Sequence, residues 1–327
     1  MSTPRVARLL YRPPTPELRF LPEGPYPCGG GMVSWVAIQH GPDGKRGSLN
    51  LLDVETGTNR SFLLDGRPGF AFPTTAPDTF LVGCEKRVGF YDLVRGGWVG
   101  PSATVEEDVE GTIINDAVFH GDVVVFGTKD LAFRTPKAGL YLWHPSRDRP
   151  SRLADGQVCS NGKVILEDGN GARLLDIDTP TRCLVEYPLD LERGRVGSPR
   201  VVLDLTDQAA YPDGMVLTPD HEGVVIAFYH PGSVAPGEAR HYHLASGELL
   251  AVWRTEGSPQ VTCPQWLSHQ GRTALVLTTA VERMSPERLV RCPNAGALFL
   301  ADTPWPELPE PPRFPLPTFR PPAPSHR

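Results

Sequence analysis

No stretch of the chain longer than 14 residues, Arg272–Ser285, is free of both glycine and proline. Both residues break helices, glycine through backbone entropy and proline through its missing N–H and its ring. With 36 prolines and 33 glycines among 327 residues, a helical bundle or a doubly wound helix-and-sheet fold has no room to form. Short strands and turns remain. At this length burial is ample, so neither a metal nor a disulfide is needed merely to fold.

The strands recur. An apolar run ending in an Asp-type turn and glycine appears as Leu51–Gly57, Phe90–Gly96, Pro188–Gly194 and Tyr242–Gly247, with weaker versions at Leu140–His144 and Ala297–Leu300. Five intervals between Asp53 and Leu300 average about 49 residues, near the length of one four-stranded propeller blade. Runs such as Val123–Phe126 and Val224–Phe228 have the composition of buried inner strands. The pattern predicts an all-β fold, a six-bladed β-propeller of four-stranded blades around a central channel. Residues 16–312 are expected to form the propeller. The segment 1–15 carries a short strand, Arg5–Tyr11, that could join the last blade and close the ring, removing a sheet edge. Ten of the 24 residues from Pro304 onward are proline, so the tail over 313–327 is expected to run extended on the surface.

A net charge of −6 with no basic block argues against a nucleic-acid groove. No apolar run approaches the 18 residues of a membrane span, and Met1–Arg5 lacks the apolar core of a signal peptide. The six cysteines are scattered without a C-x-x-C pair, which reads as free thiols in a cytoplasmic protein. Oligomeric state is not legible. Gly44-Lys45-Arg46 is no P-loop, Gly169-Asn170-Gly171 lacks the third glycine of a dinucleotide fingerprint, and there is no G-x-S-x-G elbow. His241 and His243 share a strand face without a third ligand and read as solvated.

Four polar positions stand in Gly/Pro-rich surroundings just ahead of apolar strands: Glu23, Asn115-Asp116, Asn161 and Asp213. Singly, Asn-Gly and Asp-Gly are ordinary turn dipeptides. At comparable blade positions, however, they would converge on the channel. Carboxylates and amide carbonyls gathered there make an oxygen cage suited to a hard divalent cation.

In order and spacing, several motifs resemble the senescence marker protein/regucalcin, gluconolactonase and luciferin-regenerating enzyme family. They are Glu23-Gly24-Pro25 with Trp35–Ile38, Asn115-Asp116-Ala117 with Gly127-Thr128, Asn161-Gly162, Asp176–Arg182, Pro212–Met215 and Leu275–Ala280. The resemblance implies a six-bladed propeller with one divalent ion at the channel mouth, Ca²⁺ first, with Mg²⁺, Mn²⁺ or Zn²⁺ as alternatives. It implies Glu23, Asn161 and Asp213 as side-chain ligands and Asn115 as a contact to substrate or water. The substrate it implies is a small-molecule lactone or ester. Two departures are visible. Ile113 stands where sugar-binding members usually carry arginine, and Tyr26-Pro27-Cys28 follows the Glu-Gly-Pro motif. An apolar Ile113 facing the substrate would disfavour hydroxylated lactones. Lys129 and Asp130 are further candidates for the pocket, and Asp213 is the candidate general base. A phosphotriester hydrolase on the same metal site, and a non-catalytic propeller that binds a partner, remain as alternatives.

Overall fold

A computed structural model of the chain describes residues 3–169 and 171–317. Residues 318–327, most of the expected proline-rich tail, lie outside the described residues, as does Asn170. Helix is confined to the short segments Pro16–Arg19, Thr179–Thr181 and Pro286–Arg291. Each carries a proline in its first turn, and Thr15 and Ser285 cap two of them through their hydroxyls.

Apart from connecting loops, the rest of the described residues form sheet that is antiparallel within each unit. A first sheet orders Pro22–Gly29, Met32–Ala37, Ser48–Asp53 and Asn59–Leu63. A second orders Pro68–Pro73, Thr79–Cys84, Arg87–Asp92 and Gly97–Thr104. A third orders Thr112–His120, Val123–Asp130, Ala138–Trp143 and Ser151–Gln157. The fourth begins with Ser160–Asp168, Gly171–Asp178 and Cys183–Asp190, whose outer edge is met by both Arg195–Val196 and Arg200–Asp204.

The remaining strands share one eight-stranded order. Tyr211–Leu217, Gly223–Tyr229, Gly237–His243 and Leu249–Thr255 run outward from one end. Val261–His269, Arg272–Thr279 and Leu298–Pro306 run outward from the other. Arg5–Tyr11 joins them, antiparallel to Leu298–Pro306 and parallel to Leu249–Thr255. The N-terminal strand thus covers two edges at once.

The first strand of each unit packs against the next in a closed order: Pro22–Gly29, Pro68–Pro73, Thr112–His120, Ser160–Asp168, Tyr211–Leu217, Val261–His269 and back to Pro22–Gly29. This ring surrounds the channel. Apolar clusters fill the wedges between neighbouring sheets, for example Leu175, Leu184, Val224 and Phe228 between the fourth sheet and the strands after Tyr211.

The chain after Pro306 is extended, as proline-rich sequence requires, but it is anchored. Ser268 Oγ donates to Leu308 O, and Tyr26 OH donates to Pro312 O at 2.8 Å. Phe314 pairs its backbone with Pro73 and Thr75 and buries its ring completely beside Phe90 and Phe119. This stretch ties the last, first and second units together. No helix among the described residues is long and apolar enough to cross a membrane.

Candidate functional site

A register break interrupts the opening of every ring strand: between Glu23 and Tyr26, Pro68 and Phe70, Ile114 and Ala117, Ser160 and Lys163, Pro212 and Met215, and Val261 and Pro264. Such a bulge re-aims side chains that a regular pleat would send elsewhere. Glu23, Asn115, Asp116, Asn161 and Asp213 all fall within these breaks or at their edge. They therefore lie inside strands, not in the turns that their dipeptides signal in the sequence.

The adjoining glycines have a packing reason. A Cβ on Gly162 would meet Met215 Cβ at 2.5 Å and Asp213 O at 2.8 Å, and one on Gly214 would meet Thr262 O at 2.7 Å. Neither glycine has a left-handed backbone. Both are there so that ring strands can approach closely at the site.

Hydrogen bonds fix the orientation of the two amides. Thr179 Oγ1 donates its one proton to Pro212 O (2.9 Å), so towards Asn161 it can only accept, and it does so from Nδ2 at 2.8 Å. Asn161 Oδ1 accepts from Asn115 Nδ2 at 2.8 Å, and the same nitrogen donates to Ser160 O at 3.0 Å. Asn115 Oδ1 accepts no hydrogen bond among the described residues. Asp213 accepts no hydrogen bond among the described residues, although the residue is only 7% exposed. Glu23 Oε2 receives a single long bond from Gly24 N, at 3.2 Å.

Acids so poorly solvated resist ionisation. Burial and then the neighbouring Asp116 push Glu23 up to about 8. Burial, followed by the charges of Glu23 and Asp116, raises Asp213 well above its ordinary value. Burial likewise raises Asp116, with Lys163 pulling the other way. Lys163 lies in a layer beneath, where it is fully buried against Asp176 at 3.3 Å, while Ser160 Oγ donates to the same carboxylate.

The site opens into a cavity of about 700 Å³. Its walls come largely from the loops between second and third strands: 39–45 in the first sheet, 131–133 in the third, Thr179 in the fourth, Pro231 and Glu282-Arg283 in the eight-stranded sheet. Glu23, Asn115, Asn161 and Asp213 are all at the cavity surface, and Lys129 lines it too.

Two expected residues play other parts. Ile113 is 1% exposed and packs among Leu21, Val36 and Ile38; it stands behind the wall, with Leu21 and Leu131 in front. Asp130 reaches the cavity, but its carboxylate is occupied. It accepts from the N–H groups of Ala132, Arg134 and Thr135 and pairs with Lys137 at 3.2 Å. Burial alone would raise its pKa, yet these donors outweigh it and lower it to about 2. Asp130 shapes the loop rather than facing a substrate.

Three contributors were not among the candidate site residues, although Thr179 lies in the Asp176–Arg182 segment. Glu282 lies just beyond the Leu275–Ala280 strand, and its charge acts on both Glu23 and Asp213. Thr179 orients Asn161 from 18 residues away, and Cys159 lies under both amides.

Oxygen donors dominate the floor, with two of them carboxylates held in mutual repulsion, and this chemistry fits a hard cation. Among the described residues no group of three or more acidic, histidine or cysteine side chains gathers as a metal cluster, so an ion here needs the Asn161 amide oxygen as well.

Comparison with known proteins places this geometry. Regucalcin, a calcium-binding protein of Agrobacterium tumefaciens strain C58, superposes with a TM-score of 0.77 at 21% identity, covering 94% of this chain and 99% of that one. A luciferin-regenerating enzyme gives 0.72 at 16% identity, over 88% and 92% of the two chains. At such identities the likeness speaks to the fold. In sequence, a candidate sugar lactone lactonase of Bacillus subtilis strain 168, YvrE, is 30% identical over 129 residues, 38% of this chain and 40% of the relative. An uncharacterized protein of Sulfolobus acidocaldarius is 34% identical over 109 residues, 33% of this chain and 38% of the relative. The match thus spans about two fifths of each curated relative's length. The family model for the SMP-30/gluconolactonase/LRE-like region matches residues 21–281, from just before Glu23 to just before Glu282, and the chain belongs to that family.

Proposed function

We propose that the chain is a metal-dependent, lactonase-type hydrolase that opens a lactone or related ester at the channel mouth. The six ring strands and their sheets are read as a six-bladed propeller over residues 16–312, closed by the strand in 1–15. The observation that weighs most is the Asp213 carboxylate, which is buried and lacks any protein donor beside a second carboxylate, Glu23. A purely structural role leaves such a pair unexplained, since uncompensated buried acids are destabilising.

Glu23, Asn161 and Asp213 would hold one divalent cation, with Ca²⁺ favoured by the all-oxygen set. Such an ion polarises a carbonyl and lowers the pKa of a nearby water. Asp213 would take the proton of the attacking water. The free oxygen of Asn115 accepts a hydrogen bond from substrate or water, and Lys129 offers a donor from the wall. Phe20, Leu21, Leu131 and Phe133 line the approach. A sugar hydroxyl set against them goes unpaired, at about 1–3 kcal/mol each. Lactones less polar than gluconolactone are therefore the better substrates, and the cause is these residues rather than Ile113.

Initial rates on a lactone panel test this. The wild type should hydrolyse apolar lactones, lose the activity to chelator, and lose about 100-fold or more of kcat in Asp213→Asn. Equal rates in wild type, chelated protein and Asp213→Asn would overturn the reading. So would cleavage of phosphotriesters but of no lactone.

A further inference from the structure

Across the cavity mouth, two loops from opposite sides of the ring touch. Phe133 belongs to the third sheet and Arg283 to the unit that begins at Val261, three places further round. The Arg283 guanidinium lies 5.9 Å from the centre of the Phe133 ring. Both residues have left-handed backbones, with φ of 52° and 59°, a conformation that non-glycine residues hold only where their surroundings enforce it.

Both are firmly mounted. Asp130 ties down the Phe133 loop through three N–H groups and Lys137. On the other side, Phe20 O accepts from the N–H groups of both Val281 and Glu282, while Tyr229 OH and Gln260 Nε2 donate to Glu282 O.

The cations at the wall differ in what they are free to do. Arg67 is committed to Glu85 by bonds of 2.6 and 2.9 Å. Arg283 makes no ion pair among the described residues. The acid next to it, Glu282, is turned towards Tyr229 and the floor. An exposed guanidinium on a firmly held backbone therefore lines the cavity, whose wall also carries Leu21 and Leu131.

Resting on the hydrolase reading above, we propose that Arg283, braced by Phe133, is a specificity-determining residue. It binds a carboxylate at the far end of the substrate, so that the preferred class is a lactone or ester with an apolar body and a terminal anionic group. A guanidinium suits this task because its planar fork matches a carboxylate and its charge is permanent.

The test uses two lactones of equal ring size and side-chain length, one ending in methyl and the other in carboxylate. Wild type should favour the carboxylate in kcat/KM by about tenfold to a hundredfold, the range expected of a charge-assisted hydrogen bond. Arg283→Met should collapse that ratio through the KM of the carboxylate lactone, and Arg283→Lys should keep part of it. Arg254→Met, on the outer strand Leu249–Thr255, should keep it all. Added salt should shrink the wild-type ratio. A wild type that hydrolyses the methyl lactone without favouring the carboxylate refutes the Arg283 assignment and spares the hydrolase reading. So does a ratio that survives Arg283→Met. Hydrolysis of neither lactone refutes both.

Discussion

Glu23 is half-buried and Asp130 buried, and their surroundings send the two acids in opposite directions. Asp130 has four donors and titrates near 2; Glu23 has one long hydrogen bond and titrates near 8. The consequence for stability has a definite sign. Between its ordinary value of 4.5 and about 8, Glu23 holds a proton in the folded state that the unfolded chain has lost. Metal-free protein therefore loses stability as pH rises through that window, by up to a few kcal/mol, and levels off above it. Asp213 and Asp116 act in the same direction. Asp130 does the reverse, contributing stability above its unfolded value that is lost as pH falls towards 2. Melting temperatures of chelated protein from pH 5 to 9 should fall and then flatten, with the slope reduced in Glu23→Gln. Parallel curves for the two proteins would contradict the burial of an uncompensated Glu23. The acids were legible as candidates because they recur ahead of apolar strands. Their surroundings were not, since nothing in Asp176–Arg182 or beside Asn161-Gly162 marks Thr179 or Lys163 as a partner, and Glu282 comes from another unit of the ring.

At the scale of the element, the bulge is what turns a strand into a site. The resemblance set Ile113, two residues before Asn115, towards the substrate. The register break after Ile114 separates them, leaving Ile113 to the core cluster with Val36 and Ile38. A single sequence shows where an apolar strand begins but not where its pairing slips by a residue, so it gives no sign that Ile113 belongs to the core. The glycines were legible but for another reason than turn geometry. Gly162→Ala should cost about 1–3 kcal/mol in urea unfolding, because the added methyl meets the Met215 and Asp213 backbone region. It should also weaken cation binding by moving Asn161. Gly169→Ala, where a Cβ meets nothing within 4 Å, is the control. Equal stability of the two variants would mean that the ring strands can yield at this point.

Over the whole molecule, the repeat was the strongest signal, because a blade-length spacing constrains the architecture more than any one motif does. The number of glycines and prolines excluded helical folds, and the closed order of ring strands provides what the repeat required: a common axis on which every unit can place one residue. The N-terminal strand and the anchored stretch to Phe314 hold that ring from two sides. Anchoring by a buried phenylalanine was not legible in a tail whose composition reads as solvated polyproline. The proposed function requires one cation site in this ring, made by Glu23, Asn161 and Asp213. Calorimetric titration of Ca²⁺ into chelator-stripped protein near pH 7, in two buffers of different ionisation enthalpy, tests it most directly. One ion per chain should bind with release of protons from the carboxylate pair, and binding should be lost or greatly weakened in Glu23→Gln. No binding of Ca²⁺, Mg²⁺, Mn²⁺ or Zn²⁺, or binding that Glu23→Gln leaves unchanged, would contradict it.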